Sequence, residues 1–186
     1  LLDISDIKLP GMHNVENYMT AMAAVYDIVP VSVFTEVAKT FGGVEHRIEL
    51  VRTIDGVKYY NSSIDSSPNR SINTLRVFGD NVVMIAGGKD KGIPYDEIGP
   101  SIVEHVKSLV LIGKTADKIE EAVRNTVGGD KVRILHATTY PEAVSLAKDE
   151  AVSGDVVILS PASTSFDMFN NFEERGNLFK EIVLNL

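Results

Sequence analysis

Val156-Val157-Ile158-Leu159 runs directly into Ser160-Pro161-Ala162-Ser163-Thr164-Ser165-Phe166-Asp167-Met168-Phe169-Asn170-Asn171-Phe172-Glu173-Glu174-Arg175-Gly176. The apolar run reads as a buried strand, the small hydroxylated residues as a loop, and the charged, aromatic remainder as a helix. Loops at the carboxyl ends of strands in open α/β sheets are where ligands bind. A loop rich in Ser and Thr offers hydroxyls and backbone N–H groups to an anion there.

The same alternation runs backward through the chain. Apolar strands are expected at Val82–Ala86, Leu109–Ile112 and Val132–Leu135 as well as Val156–Leu159. Helices near 94–106, 115–127, 140–152 and 170–184 separate them. Continuous apolar strands alternating with helices predict a mostly parallel sheet covered on both faces, a Rossmann-like α/β fold. Ahead of them, 46–54 alternates imperfectly, with Ile48, Leu50 and Ile54 on one face and Arg52 interrupting it. Asp55-Gly56 is a hairpin turn, and Val57–Tyr60 returns as the antiparallel partner. Pro68 opens a helix carrying Ile72, Leu75 and Phe78.

Residues 1–43 differ. Pro10-Gly11 marks a turn. Asn14 is placed to cap a helix carrying Val15, Tyr18, Met19, Met22 and Tyr26. A second helix, from Ser32 to Phe41, presents Val33, Val37 and Phe41 before Gly42-Gly43 ends it. Two helices alone make a poor core, so 1–43 is expected to be the end of one domain and 44–186 a complete second one. The chain starts at Leu1 without Met, which suggests an excised fragment.

Bulk composition narrows the function. The net charge of −8 argues against a nucleic-acid or anionic-membrane surface, which needs basic patches. With no cysteine there is no disulfide, thiolate nucleophile or Cys-zinc site, in keeping with a reducing cytoplasm. No apolar run reaches the roughly 20 residues of a membrane span, and no signal peptide is visible. The four histidines show no metal-binding spacing, so no metal site is assigned.

Four strand-end loops are candidates for chemistry. Asn61-Ser62-Ser63-Ile64-Asp65-Ser66-Ser67-Pro68 is hydroxyl-rich and enters a helix, where the dipole favours an anion; Ser66 or Ser67 as a simple cap is the plainer reading. Gly87-Gly88-Lys89-Asp90-Lys91-Gly92 permits close backbone approach and supplies cations for phosphate or carboxylate, though it also makes a good solvated turn. It lacks the G-x-x-x-x-G-K-[ST] spacing of a phosphate loop. Gly113-Lys114-Thr115 reads as a turn with Thr115 as N-cap. In the opening stretch, the plain alternative makes Phe166, Phe169 and Phe172 core anchors and Glu173-Glu174-Arg175 a solvated face. His46-Arg47 stands at the entrance of the second domain, while His105 and His136 read as isolated surface or core-edge residues.

Taken in order, these motifs resemble the Mur ligase family. Leu9-Pro10-Gly11-Met12-His13-Asn14-Val15-Glu16-Asn17 is similar to the central-domain segment whose asparagines approach adenine, a role that falls to Asn14 and Asn17. Glu45-His46-Arg47 resembles the family's "HR", whose arginine contacts nucleotide phosphate. Asn61 to Pro68 sits where the family has an "NDSIASSP"-like loop, Ala86 to Lys91 resembles "GGxDK", and Ser160 to Gly176 resembles "SPACASFDMFxNFEERG".

The resemblance is nearest to the branch that adds D-glutamate to UDP-N-acetylmuramoyl-L-alanine in peptidoglycan synthesis. It implies an ATP-dependent ligase using Mg2+, in which an acyl phosphate forms on the precursor and the amine of D-glutamate attacks it. It implies D-glutamate contacts at Ser66, Lys91, Ser165, Phe166 and Phe172, and nucleotide contacts at Asn14, Asn17, Arg47, Ser62 and Asp65. Ser62 replaces the family's usual aspartate, and Asp65 stands where a small neutral residue is usual; Asp65 either supplies the missing carboxylate or repels an anionic ligand. The partners implied are small molecules, with a cytoplasmic monomer as the form. The chain holds no ATP phosphate loop, central-domain magnesium glutamate or UDP-binding domain, so alone it is expected to be inactive. The alternatives are another Mur ligase or folylpolyglutamate synthetase, a non-catalytic Rossmann-like binding domain, and a flavodoxin-like response regulator. The last is disfavoured because no acid cluster follows the first strand.

Overall fold

In a computed structural model the described residues are 3–9 and 11–186. Pro10, assigned above to a turn and to the first motif, lies outside them. The chain forms two compact units, Leu1–Val44 and Glu45–Leu186.

The first unit contains a short 3-10 turn, Ile4–Asp6, then helix α1, Met12–Val25, and helix α2, Val31–Thr40. Two expectations fail here. Helix α1 starts at Met12 with Gly11 at its N-cap (φ 94°), so Asn14 lies inside the helix and does not cap it. Helix α2 buries Phe34 and Ala38, with the Phe34 ring 6.5 Å from that of Tyr26. Val33, Val37 and Phe41 stand on its outer face, 39%, 42% and 46% exposed. Lys8 N–H donates to the Ala38 carbonyl (2.9 Å), tying the leading segment to α2.

The second unit is the predicted α/β fold. Strands β1 (Glu49–Ile54), β2 (Val57–Asn61), β3 (Val82–Ala86), β4 (Val106–Ile112), β5 (Arg133–Ala137) and β6 (Val156–Leu159) form one sheet in the order β1-β2-β6-β3-β4-β5. The β1-β2 hairpin is antiparallel; β2-β6, β6-β3, β3-β4 and β4-β5 are parallel. Side chains alternate across the sheet with period two. Val82, Met84, Ala86, Leu109 and Leu111 enter a core under α3 (Pro68–Leu75), α4 (Ile98–His105) and α5 (Ala116–Arg124). Val83, Ile85, Val110, Ile112, Val157 and Leu159 enter a second core under α6 (Tyr140–Glu150) and α7 (Phe172–Leu184). Both faces are thus covered, which is why β3 and β6 are apolar at every position.

The entry to this unit departs from the expected strand. His46 and Ile48 adopt positive φ (64° and 48°), so pairing begins only at Glu49. The register shifts between Leu50 and Arg52, and such an irregularity re-aims side chains. Val51 and Ile54 pack on the core while Leu50 is 51% exposed, against the face predicted. Arg52 Nη1 reaches across to the Leu184 carbonyl (2.9 Å), binding the edge strand to the end of α7.

Candidate functional site

Because β2, β6, β3 and β4 are parallel, Asn61, Leu159, Ala86 and Ile112 end on one edge. Their loops meet there and are joined chiefly through backbone. Ser62 N–H donates to the Leu159 carbonyl (2.8 Å), Gly87 N–H to Pro161 (2.8 Å), and Thr115 N–H to Gly88 (3.1 Å). Lys89 and Thr164 form a β-bridge. Glycine is required at this meeting point. A Cβ on Gly87 would lie 1.8 Å from the Ile112 carbonyl oxygen, and one on Gly88 would lie 2.2 Å from that of Thr164.

The loop after β2 is held from beneath. Asn61 Nδ2 sits 2.9 Å from His46 Nδ1 and donates to Glu49 Oε2 (3.0 Å), while its Oδ1 accepts from Ser63 N–H (3.1 Å). Burial pushes the Glu49 carboxyl up, but the His46 N–H, Lys180 and Asn61 outweigh it and hold the group below its ordinary value. Ser62 is fully buried and its hydroxyl accepts from Ile48 N–H (3.3 Å). Asp65 is also buried. Its Oδ2 accepts from Ser160 Oγ (2.8 Å), and burial raises its pKa against the lowering effect of hydrogen bonds from Ser160, Ser62 and Thr74. Of the residues named for the nucleotide, Ser62 and Asp65 therefore bond within the domain, whereas Arg47 is exposed. Asn14 and Asn17 belong to the other compact unit, on α1.

Among the residues named for D-glutamate, Ser66 is half-buried, Lys91 exposed and Ser165 buried. Ser165 closes its own loop, its carbonyl accepting from Met168 N–H (3.0 Å) and Phe169 N–H (2.9 Å). Phe166 is 60% exposed, so it is no core anchor. Phe169 packs against Tyr140 (5.1 Å between rings), and burial pushes the Tyr140 phenol up to about 12. Phe172 stands edge-on to His46 at 5.9 Å. Ser67 does occupy the N-cap position of α3, but its side chain makes no capping bond.

Two residues carry more than their sequence suggested. Thr115 occupies the N-cap position of α5 without a capping hydrogen bond; its hydroxyl instead meets Ser163 Oγ at 2.8 Å, and Ser163 Oγ meets Tyr95 Oη at 2.8 Å. Arg175 is not on a solvated face but fully buried, unlike exposed Glu173 and Glu174. Its Nε donates to Ser63 Oγ (3.0 Å), Nη2 to the Ser63 carbonyl (2.8 Å) and Nη1 to the Ser163 carbonyl (3.0 Å). Burial pulls its pKa down, yet a guanidinium keeps its charge in proteins. Nearby, Asp167 Oδ2 is buried with no hydrogen-bond partner. The only sequence signal for Arg175 was its place in a motif that otherwise reads as surface.

The edge thus presents two buried serine loops, glycine backbone and an exposed lysine, a set suited to a small carboxylate ligand. Among the described residues, no three His, Asp or Glu side chains are grouped to hold a metal ion.

Residues 46–163 match the family described as "Mur ligase, glutamate ligase domain". The chain is 57% identical over 190 residues to the UDP-N-acetylmuramoylalanine--D-glutamate ligase of Ruminiclostridium cellulolyticum, covering 100% of this chain and 41% of that protein. It is 60% identical over 183 residues to that of Acetivibrio thermocellus, covering 96% and 39%. It therefore spans about two-fifths of these curated relatives. Among solved structures, UDP-N-acetylmuramate-alanine ligase MurC from Thermotoga maritima aligns with TM-score 0.71 at 14% identity, over 96% of this chain and 39% of that one. Folylpolyglutamate synthase from Mycobacterium tuberculosis aligns with TM-score 0.65 at 17% identity, over 92% and 41%. These two likenesses speak to fold.

Proposed function

The chain belongs to the Mur ligase family, and from that premise we propose that it is the amino-acid-binding end of an ATP-dependent ligase joining D-glutamate to UDP-N-acetylmuramoyl-L-alanine. The observation that carries this reading is the meeting of the 61–67, 87–91 and 160–167 loops on one sheet edge. Lys91 supplies an exposed point charge, Ser66 a hydroxyl, and Ser165 a hydroxyl and a backbone N–H group. Phe166 and Phe172 wall the pocket, and together these hold the two carboxylates of D-glutamate with its amine directed at the activated precursor. Holding the nucleophile in one orientation is this unit's share of the rate.

Residues 1–43 are the closing helices of a central ATP-binding domain. Exposed apolar side chains support this: Ile28 is 80% exposed, Met19 64% and Tyr26 62%, more than a small self-sufficient unit leaves in water. In the whole protein Asn14, Asn17 and Arg47 face adenine and phosphate, and Mg2+ assists. The residues of this chain do not by themselves fit a triphosphate or a magnesium ion. They contain no G-x-x-x-x-G-K-[ST] run, and the described ones hold no acidic cluster. Ser62 and Asp65 enter the nucleotide role only through the loop they stiffen, since their side chains bond inward. The protein works as a cytoplasmic monomer on small-molecule substrates.

The test is phosphate release and product formation by the full-length protein given ATP, Mg2+, UDP-N-acetylmuramoyl-L-alanine and, in turn, D-glutamate, L-lysine and L-alanine. D-glutamate-dependent product supports the reading. Preference for another amino acid moves the chain to another Mur ligase or a folylpolyglutamate synthetase, and no turnover with any favours a binding module.

A further inference from the structure

We infer that Arg175 is a positioning residue for the amino-acid pocket: it touches no ligand but sets the relative placement of the Ser66, Ser165 and Phe172 segments. The inference rests on the D-glutamate reading above for the identity of the ligand, but not for the geometry.

The guanidinium is planar and its donors are fixed in a fork, so bonds to two segments hold those segments in one mutual orientation. On one side it grips Ser63 twice, at Oγ (3.0 Å) and at the carbonyl (2.8 Å), three residues before Ser66. On the other it grips the Ser163 carbonyl (3.0 Å), two residues before Ser165. Ser63 Oγ, having accepted from Arg175, donates onward to the Phe172 carbonyl (2.7 Å). One side chain thereby joins three segments that lie more than a hundred residues apart in sequence at their extremes.

The brace extends further. Ser163 Oγ meets Thr115 Oγ1 and Tyr95 Oη, so the loops after β4 and β3 hang on the same hub. The next residue, Thr164, carries the lysine loop through its bridge to Lys89. The bonds of Arg175 and of Ser163 Oγ are buried, where hydrogen bonds are strong and a broken one leaves an unsatisfied group. The three bonds from the guanidinium end on neutral oxygens, while Tyr140 and the nearby carboxylates of Asp167 and Asp65 favour the charge against its burial. Even so compensated, a fully buried arginine is weak evidence for stability, and a fixed geometry is what its fork supplies.

Arg175→Lys in the full-length protein tests this. Lysine keeps the charge and most of the length but has a single rotatable head, so the segments are no longer locked together. The Michaelis constant for D-glutamate should rise on the order of 10²-fold, as for other displacements of about 1 Å near a reacting centre. The constant for the UDP-linked precursor should stay within about twofold, because the precursor is expected to be held outside this chain, whereas a general loss of fold would move both constants. Backbone amides of 61–67 and 160–167 should exchange hydrogen faster than in the wild type. Equal rises in the D-glutamate and UDP-precursor constants, or no change in D-glutamate constant and exchange, overturn the inference.

Should Arg175→Lys fail to fold, Ser63→Ala decides. It cuts the relay to Phe172 while leaving the Ser63 carbonyl, and should show the same split at about tenfold; the absence of a split overturns the inference. If the wild type makes no D-glutamate product, the functional reading fails instead. The exchange difference between wild type and variant then decides the brace alone.

Discussion

Lys89 and Thr164 hold each other through main chain and side chain at once. Lys89 N–H donates to the Thr164 carbonyl (2.8 Å), and Thr164 Oγ1 donates back to the Lys89 carbonyl (3.0 Å). Neither bond uses the lysine side chain, which is exposed. The tie fixes where the following residues emerge, Lys91 among them.

Lys91→Ala in the full-length protein should raise the Michaelis constant for D-glutamate by roughly 30-fold or more, with the ATP constant little changed. Lys91 is exposed in the free chain, and removing one partner of a charge pair that ligand binding buries costs about 2–5 kcal/mol; about 1.4 kcal/mol is tenfold. Lys91→Arg should restore only part of it, because the fork prefers bidentate geometry. Lys89→Ala is the control: its backbone tie survives the substitution, so steady-state constants should hardly move. An unchanged D-glutamate constant in Lys91→Ala, or an equal effect from Lys89→Ala, removes the assignment.

Gly88→Ala should damage the same junction sterically. Gly88 has φ 148°, and its new methyl would meet the Thr164 carbonyl oxygen at 2.2 Å. A strained backbone of this kind costs on the order of 1–3 kcal/mol, so denaturant unfolding should show a clear loss of stability, with D-glutamate affinity falling alongside. A variant as stable as the wild type would show that the bridge is not held as described.

Asp65→Asn should change how stability depends on pH. Burial raises the folded-state pKa of Asp65 above its ordinary 3.8, so between that value and the raised one the folded chain holds a proton that the unfolded chain has lost. The contribution is favourable at low pH and is lost as pH rises through that window. Asparagine carries no such charge and can still accept from Ser160. The difference in melting temperature, variant minus wild type, should therefore be more positive at pH 7 than at pH 4. A pH-independent difference would refute the assignment.

This 186-residue chain alone should bind ATP no more tightly than the millimolar range, since phosphate cradling needs several oriented N–H groups that the sequence does not arrange. Isothermal calorimetry showing micromolar binding would overturn that.

The parallel core was legible because β3 and β6 are apolar at every position, a pattern that only burial on both faces explains. The meeting of the loops followed from strand direction. The brace was not legible. Arg175 follows Glu173 and Glu174, and no helical periodicity distinguishes a solvated arginine from one satisfied by oxygens of Ser63 and Ser163, distant in sequence. Thr115 does stand at the N-cap position its local pattern indicates, but the partner of its hydroxyl, Ser163, lies on another strand's loop. His46 and Ile48 fit the strand pattern, because positive φ in non-glycine residues leaves no mark in composition. In each case the deciding partner is tertiary.

The strand order has a consequence for how this unit comes into being. β6 is the last of the six strands in sequence, yet it lies between β2 and β3. Until Val156–Leu159 leaves the ribosome, the nascent chain can assemble only two separate ribbons, β1-β2 and β3-β4-β5, each with a raw inner edge open to other chains. A chain stalled with 156–159 still inside the ribosome would thus be an aggregation-prone intermediate, and one that has released them can close the sheet in a single insertion.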